Sequence, residues 1–407
     1  MQSHSQTQHS TYSTHKQVQD IILQQHIPWW QGLDKVAYVQ LKLPAIETLL
    51  LHSFDVVVIG GGVAGLSAAL SARQAGASVL VLEREALLGY GATGRNAGIL
   101  SAGINMHLVD LPLDGQEAAF WPATTQMLLS LVQEASQPDA IISASLTGAL
   151  SLAEGPYAAR KLVREANARV QMGLRAEMWT AEQVAEATDG RLNTQSVRGA
   201  LWLPDEGRLH PLTLLAHLAR KARAIGVQFA GLAEVIDAEE VRQKAGNYCW
   251  HVTLSNGMIV ETTMLIYAVG PTAQPTARIF ALAFAADLPA TFPLFWDAAP
   301  YTYADFRPGN GRLNVSGGRY GKVGGTRYDD NYFKRLADAA RRWLPELAGT
   351  EPPYTWAVDL AVTADMIPTL RSTGNLAPAY AIEGLGSLGV LPGMVLGQRV
   401  GALVARG

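Results

Sequence analysis

The apolar positions of this chain change their period abruptly near residue 60. Residues 55–59 (Asp-Val-Val-Val-Ile) are a nearly unbroken apolar run, as expected of a strand buried on both faces. The run stops at Gly60-Gly61-Gly62, and residues 64–75 then read as a helix whose small residues face the sheet. A second run, residues 78–83 (Ser-Val-Leu-Val-Leu-Glu), predicts another strand that ends in a carboxylate. Further along, Leu212, Leu215, Ala216, Leu218, Ala219, Ala222 and Ile225 recur at helical spacing behind Pro211, and Gly226 closes that helix. The apolar stretch 227–236 predicts the next strand. Strands alternating with helices imply an α/β fold built on a parallel sheet.

The first turn carries chemistry. Gly60, Gly62 and Gly65 stand at GxGxxG spacing between a strand and a helix. In that context the first glycine permits the tight turn, the second lets a pyrophosphate approach the backbone, and the third lets helix and strand pack closely. The amides of Val63 and Ala64 would then face phosphate charge at a helix N-terminus. Glu83 lies about 20 residues downstream, where a ribose hydroxyl needs an acceptor. Arg84 follows it. The arrangement is that of a dinucleotide site.

Composition narrows the setting. At 407 residues the chain exceeds one hydrophobic core, so two domains are expected. With 48% hydrophobic and 16% charged residues it has the make-up of an enzyme with a large core, and a net charge of −3 gives no reason to expect a nucleic-acid partner. The single cysteine, Cys249, rules out an internal disulfide and the paired cysteines of disulfide reductases. Residues 1–26 are rich in Gln, Ser, Thr and His, and read as a disordered polar tail rather than a metal site at His4, His9 and His15. No metal is expected. No cationic start with an apolar core follows Met1, so no secretory signal is expected. Lys42, Pro44, Glu47, His52 and Asp55 interrupt the apolar stretch 41–59, so it is not expected to span a membrane. The expected location is cytoplasmic.

The residues after Glu83 distinguish between cofactors. Leu88-Gly89-Tyr90-Gly91-Ala92-Thr93-Gly94-Arg95-Asn96-Ala97-Gly98-Ile99 offers many backbone N–H groups, one threonine hydroxyl and one guanidinium over a short span. Thr93 and Arg95 can reach phosphate oxygens there, as a long cofactor requires. The whole series GGGVAGLSAAL, LVLERE and GATGRNAG resembles the FAD-dependent amine oxidoreductase superfamily of D-amino-acid, glycine and sarcosine oxidases. Its opening, with Ile27-Pro28-Trp29-Trp30 ahead of the first strand, is nearest the γ-glutamylputrescine oxidase-like branch. Later segments extend the resemblance from about Pro28 to the C-terminus. They are residues 261–271, 301–318 (YTYADFRPGNGRLNVSGG), Trp356, Asp365-x-x-Pro368 and 384–397.

The resemblance implies a Rossmann-like FAD domain of the glutathione-reductase type and a mixed-sheet α+β substrate domain. It implies a FAD domain over 54–105, 205–272 and 360–407, a substrate domain over 106–204 and 273–359, and an N-terminal extension over 27–53. It places FAD against Gly60, Gly62, Val63, Ala64, Gly65, Glu83, Arg84 and the loop Thr93, Gly94, Arg95, Asn96, Ala97, Gly98. It also places FAD against Val235, Gly270 and the turn Gly386, Ser387, Leu388, Gly389, Val390. Gly384-Leu385-Gly386-Ser387-Leu388-Gly389 departs from the family's usual G-F-S-G-H-G, leaving backbone groups to meet the flavin edge. Arg95-Asn96 replaces the Trp-His pair of the histidyl-flavin members, and Cys249 lies far from the cysteinyl attachment point, so non-covalent FAD is expected.

The implied reaction is oxidation of a small amine or amino acid at a C–N bond by hydride transfer to flavin N5, with oxygen or another acceptor taking the electrons. Arg307 is the expected partner of a substrate carboxylate, with Tyr301 and Tyr303 alternating along the same run. Arg307 as a structural hairpin arginine is the competing assignment, and Arg319 and Tyr320 are weaker candidates. No lysine occurs between Lys244 and Lys322, which tilts the expectation from an oxidase toward a dehydrogenase. A structural flavoprotein without amine oxidase activity and a flavin monooxygenase remain alternatives. The sequence identifies neither the amine nor the oligomeric state. Gly62→Val should abolish flavin retention, because its side chain occupies the pyrophosphate path; a variant that purifies yellow at full occupancy contradicts the assignment.

Overall fold

A computed structural model describes residues 26–49, 53–104, 106–269, 275–297, 304–363, 365 and 367–406. The expected polar tail (apart from His26), Gly270, Tyr301 and Tyr303 therefore lie outside the described residues.

The α/β fold is present. The strand Ser53–Ile59 lies between Val79–Leu82 and Ile259–Tyr267, parallel to both, with Val58 opposite Val81 and Ile266. Gln228–Ala230 extends the parallel sheet beyond Val79–Leu82, and Ala379–Glu383 pairs in parallel with the end of Ile259–Tyr267. The first half of that long strand instead closes an antiparallel meander with Val235–Arg242 and Tyr248–Leu254. Val56, Val57 and Val58 are fully buried because helices cover one face and the meander the other, which is why the run needs no polar alternation.

The expected single strand over 227–236 is two strands, Gln228–Ala230 and Val235–Arg242. Leu232 breaks it with a left-handed φ of 54°, and the turned backbone sends the Ala233 N–H to Glu83 O at 2.9 Å. An apolar side chain at positive φ leaves no mark in the hydrophobic pattern, so the run reads as continuous.

The helix after the glycine turn spans Val63–Gln74, within a residue of expectation. Its small residues serve a second purpose beyond facing the sheet. Gly393, Gly397 and Gly401 of the helix Val390–Gly401 pack onto Ala64, Ser67, Ala68, Ser71 and Ala72. A Cβ on Gly397 would lie 2.4 Å from Ala64 O, and one on Gly401 would lie 2.5 Å from Ala68 O. The contacts advance in the same order along both helices, so the two run parallel, with both N-termini at one end of the sheet.

The second large sheet is mixed. Its order is Tyr354–Leu360, Ala277–Ala285, Arg312–Gly321, Ala304–Gly309, Leu294–Asp297, Ala149–Ala153, Gly199–Leu203 and Glu177–Trp179. Leu294–Asp297 and Ala149–Ala153 are its parallel pair. The turn at Asn310-Gly311 has φ of 58° and 68°, both positive as a tight hairpin of this type requires. One face buries Phe280, Phe306, Val315 and Trp343 with the helix Asp329–Trp343. The other turns Ala281, Ala283, Trp356 and Val358 toward the first sheet's helices.

A small sheet of Ile99–Leu100, Gly207–Leu209 and Ala144–Leu146 stitches the two together. Beside it, buried Glu206 accepts from the Ala102 N–H (2.8 Å) and from Arg169 (3.4 Å), and Arg169 also meets Glu165 at 2.9 Å. This network pins the chain that follows the glycine-rich loop. Among the described residues no helix is long and apolar enough to cross a membrane.

Gly397→Val should lower stability by about 1–3 kcal/mol through overpacking between the parallel helices, read as a fall in the thermal midpoint; an unchanged midpoint would show that the helix pair has room to spare.

Candidate cofactor and substrate site

The three motif glycines have three separate physical reasons. Gly60 takes a φ of 105°, and a Cβ there would meet Val269 Cγ1 at 2.9 Å. A Cβ on Gly65 would lie 1.9 Å from Gly60 O, so the helix could not sit against the strand end. Gly62 has room: its Cβ would approach only Thr93 Oγ1, at 3.3 Å. A side chain at Gly62 therefore threatens whatever lies in front of the turn rather than the fold itself.

Glu83 stands behind the turn, accepting from the Gly61 N–H at 2.9 Å and the Glu85 N–H at 3.2 Å. Burial raises its pKa, and those backbone donors oppose the rise. Arg84 points to solvent and pairs with Glu85 at 3.4 Å. The Thr93 hydroxyl reaches the Val63 N–H at 3.3 Å, so the glycine-rich loop closes over the helix N-terminus. Val235 opens its strand two residues beyond Ala233, whose N–H holds the carbonyl of Glu83.

The loop is held in an unusual way. Four successive carbonyls each receive a side-chain donor from a different part of the chain. Trp356 Nε1 donates to Arg95 O (2.7 Å) and Trp29 Nε1 to Asn96 O (2.8 Å). Asn314 Nδ2 donates to Ala97 O and Arg307 Nε to Gly98 O, both at 3.3 Å. Asn96 adds an internal brace, from its Nδ2 to Thr93 O at 2.6 Å and from the Gly98 N–H to its Oδ1 at 2.7 Å. Gly94 cannot carry a side chain, since its Cβ would lie 1.9 Å from Gly89 O. With the carbonyls turned outward and tied, the loop can offer its inner side to a ligand.

Arg307, the expected substrate anchor, is tied to backbone on a second side as well. It is 3% exposed, its Nη2 donates to Leu209 O at 3.1 Å, and its guanidinium lies 4.9 Å from the Trp29 ring centre. Burial, with Arg208 and Arg312 nearby, pushes its pKa down to about 9. His210 packs edge-on against Trp29, and burial reinforced by Arg307 pushes it down to about 4, so it stays neutral. The structure brings Arg307 to the loop as a clamp.

At the C-terminal turn, Gly386 has φ 56° and Gly389 precedes the helix Val390–Gly401. A Cβ on Gly389 would lie 2.9 Å from Leu385 Cβ. Ser387 hydrogen-bonds the phenol of Tyr320, while Leu388 is half-buried beside it. Asp305 approaches the same space from the hairpin, and Tyr320 registers its charge. Burial, then the neighbouring Asp297, pushes Asp305 up to about 7. Asp305, Asn314 and the donor role of Trp29 escaped the sequence reading. The available signal was alternation, since Asp305 stands two residues from Arg307 and shares its face.

The site fits FAD on its own evidence. An open glycine turn is backed by the half-buried carboxylate of Glu83, and the N-termini of two parallel helices favour anionic groups. Among the described residues, Arg95 Nε, Asn314 Oδ1 and Trp30 Nε1 are buried polar atoms without a partner. Burial also lowers the pKa of Arg95, the cost that a phosphate neighbour would relieve. The family model described as FAD dependent oxidoreductase matches residues 55–403. The chain belongs to that family.

Among curated relatives, a bifunctional tRNA 5-methylaminomethyl-2-thiouridine biosynthesis protein of Magnetococcus marinus is 29% identical over 164 residues, 40% of this chain and 23% of that protein. The gamma-glutamylputrescine oxidoreductase of Escherichia coli is 41% identical over 83 residues, 20% of this chain and 18% of its own length. The matched stretches thus span less than a quarter of either relative. Of solved structures, L-proline dehydrogenase from P. horikoshii superposes with a TM-score of 0.74 at 20% identity, over 88% of this chain and 95% of that one. Glycine oxidase from Geobacillus kaustophilus gives 0.71 at 19% identity, over 87% and 94%. These likenesses establish the fold, and with the family the FAD-dependent oxidoreductase class.

Away from this site, Cys249, His251 and Glu261 bring ligand-type atoms within 4.8 Å of one another on the meander, and Gln243 also holds Glu261 at 2.7 Å.

Arg307→Lys keeps the charge but loses the fork, and should weaken FAD binding about tenfold through the lost carbonyl contacts. Full FAD affinity with a raised substrate KM would instead return Arg307 to the substrate-anchor role.

Proposed function

We propose that this chain oxidises a carbon–nitrogen bond of a small amine or amino acid. One observation carries the reading. The second sheet presents a polar patch, Asp305 and Tyr320, to the end of the molecule where the glycine turn, the clamped loop and the C-terminal turn meet. FAD, when bound, supplies the hydride acceptor at its N5 atom. In the substrate, the C–H bond breaks with its electron pair, the nitrogen lone pair forms the C=N bond, and the N–H proton leaves to water, which later hydrolyses the imine. The protein's share is orientation and exclusion of water.

The inferred division of the chain puts the FAD-binding part at 54–105, 205–272 and 360–407, and the substrate part at 106–204 and 273–359. That the first sheet draws its strands from 53–82, 228–267 and 369–383 supports it. The roles of Gly60, Gly62, Gly65, Glu83, Thr93, Arg95 and residues 386–390 in holding FAD belong to the same proposal. So does a non-covalent attachment, supported by Cys249 lying on the meander.

Anaerobic addition of amines and amino acids to the purified yellow protein should bleach its flavin band near ~450 nm. Fast recovery in air would make the enzyme an oxidase, and slow recovery a dehydrogenase. A flavin that dithionite reduces but no amine does would contradict amine oxidation and favour the structural-flavoprotein alternative.

A further inference from the structure

Asp305 is the charged group of the site that the clamp does not use. Its strand, Ala304–Gly309, alternates. Ala304 and Phe306 are fully buried on the face covered by the helix Asp329–Trp343, whereas Asp305 and Arg307 share the opposite face. Arg307 reaches Gly98 and Leu209 on that side, so the face is the one turned toward the cofactor loop. Asp305 stands one pleat further along, roughly 7 Å from Arg307. Its neighbours across the sheet are Ser316 and Trp296. Tyr320, joined to Ser387 of the C-terminal turn, closes the third side.

Neither a hydrogen bond nor an ion pair to the Asp305 carboxylate occurs among the described residues, and Asp297 adds like charge nearby. Such a carboxylate is disfavoured when ionised unless something cationic joins it. Arg307 does not fill that need, being held by two carbonyls and Trp29. The same tie leaves a substrate carboxylate without its expected fork, while Asp305 would repel it.

Resting on the reading of the site as an amine-oxidising one, we propose that Asp305 selects the substrate by charge. Its carboxylate receives a cationic nitrogen remote from the bond being oxidised. The preferred substrates are then aliphatic diamines or polyamines, ahead of α-amino acids.

The test uses the FAD-loaded protein under anaerobic conditions, with 1,4-diaminobutane, spermidine, n-butylamine, glycine and L-proline as probes. Half-saturating concentration and limiting rate of flavin reduction are read for the wild type and for Asp305→Asn, which keeps the shape and removes the charge. The wild type should be reduced at lower concentrations of the diamine and polyamine than of the amino acids. Asp305→Asn should raise the half-saturating 1,4-diaminobutane concentration roughly 10- to 100-fold, with FAD occupancy and limiting rate nearly unchanged. For n-butylamine, which lacks the second cation, the substitution should shift nothing. Equal shifts for both amines, no shift for either, or preference of the wild type for glycine or L-proline would overturn the charge-selection role while leaving amine oxidation standing. Failure of every probe to reduce the wild-type flavin would instead overturn amine oxidation itself, and charge selection with it.

Discussion

Everything at the site depends on the carbonyls of residues 95–98 being held one by one. Trp29, Asn314, Arg307 and Trp356 come from the N-terminal extension, both strands of the 304–321 hairpin and the edge strand Tyr354–Leu360. A glycine-rich loop loses much conformational entropy when it is ordered, and it has few side chains with which to pack. Here the order comes from donors outside the loop. Burying a backbone carbonyl without a partner costs free energy, so each of the four donors stabilises one conformation against all others. The cradle therefore forms only when the second sheet and the extension have docked on the first sheet.

The parallel helices add the electrostatic part. The glycines at 393, 397 and 401 bring Val390–Gly401 so close to Val63–Gln74 that their backbones touch along one stripe. Close approach in register sets both N-termini side by side, where unpaired N–H groups and the helix dipoles favour anionic ligand atoms. The C-terminal turn is thus fixed relative to the first glycine turn by packing that runs the length of two helices. The guanidiniums around Arg307 are already tied down, Arg307 by carbonyls, Arg208 by Pro308 O and Ala290 O, and Arg312 by Pro28 O, while the charge that Asp305 feels is that of Asp297.

What the sequence disclosed follows from where the causes lie. Gly60 and Gly65 were legible because backbone sterics over a few residues dictate them. The order of motifs disclosed the family for the same reason. Gly393 and Gly397 fall in the 384–397 segment that reads as part of a cofactor unit, though the cause of the stripe they form with Gly401 is a helix that begins over three hundred residues earlier. Arg307 looked like a substrate anchor because a guanidinium suits carboxylates and carbonyls alike. Its contacts with Gly98 O and Leu209 O favour the structural assignment, and they are tertiary facts. Asn314 and Trp29 carried no local signal of their donor roles. Leu232 hid the break in its strand, since an apolar residue at positive φ looks like any other.

The glycine turn, the clamped loop and the elements that clamp it are expected to order together around the cofactor. Amide hydrogen exchange, followed by mass spectrometry on the FAD-loaded and the FAD-depleted protein, addresses this directly. Removal of FAD should speed exchange together over residues 60–65, 93–98 and 386–390, and also over 27–31 and 304–309, which supply clamps. Faster exchange confined to residues 60–65, with 93–98 and 27–31 unchanged, would contradict it.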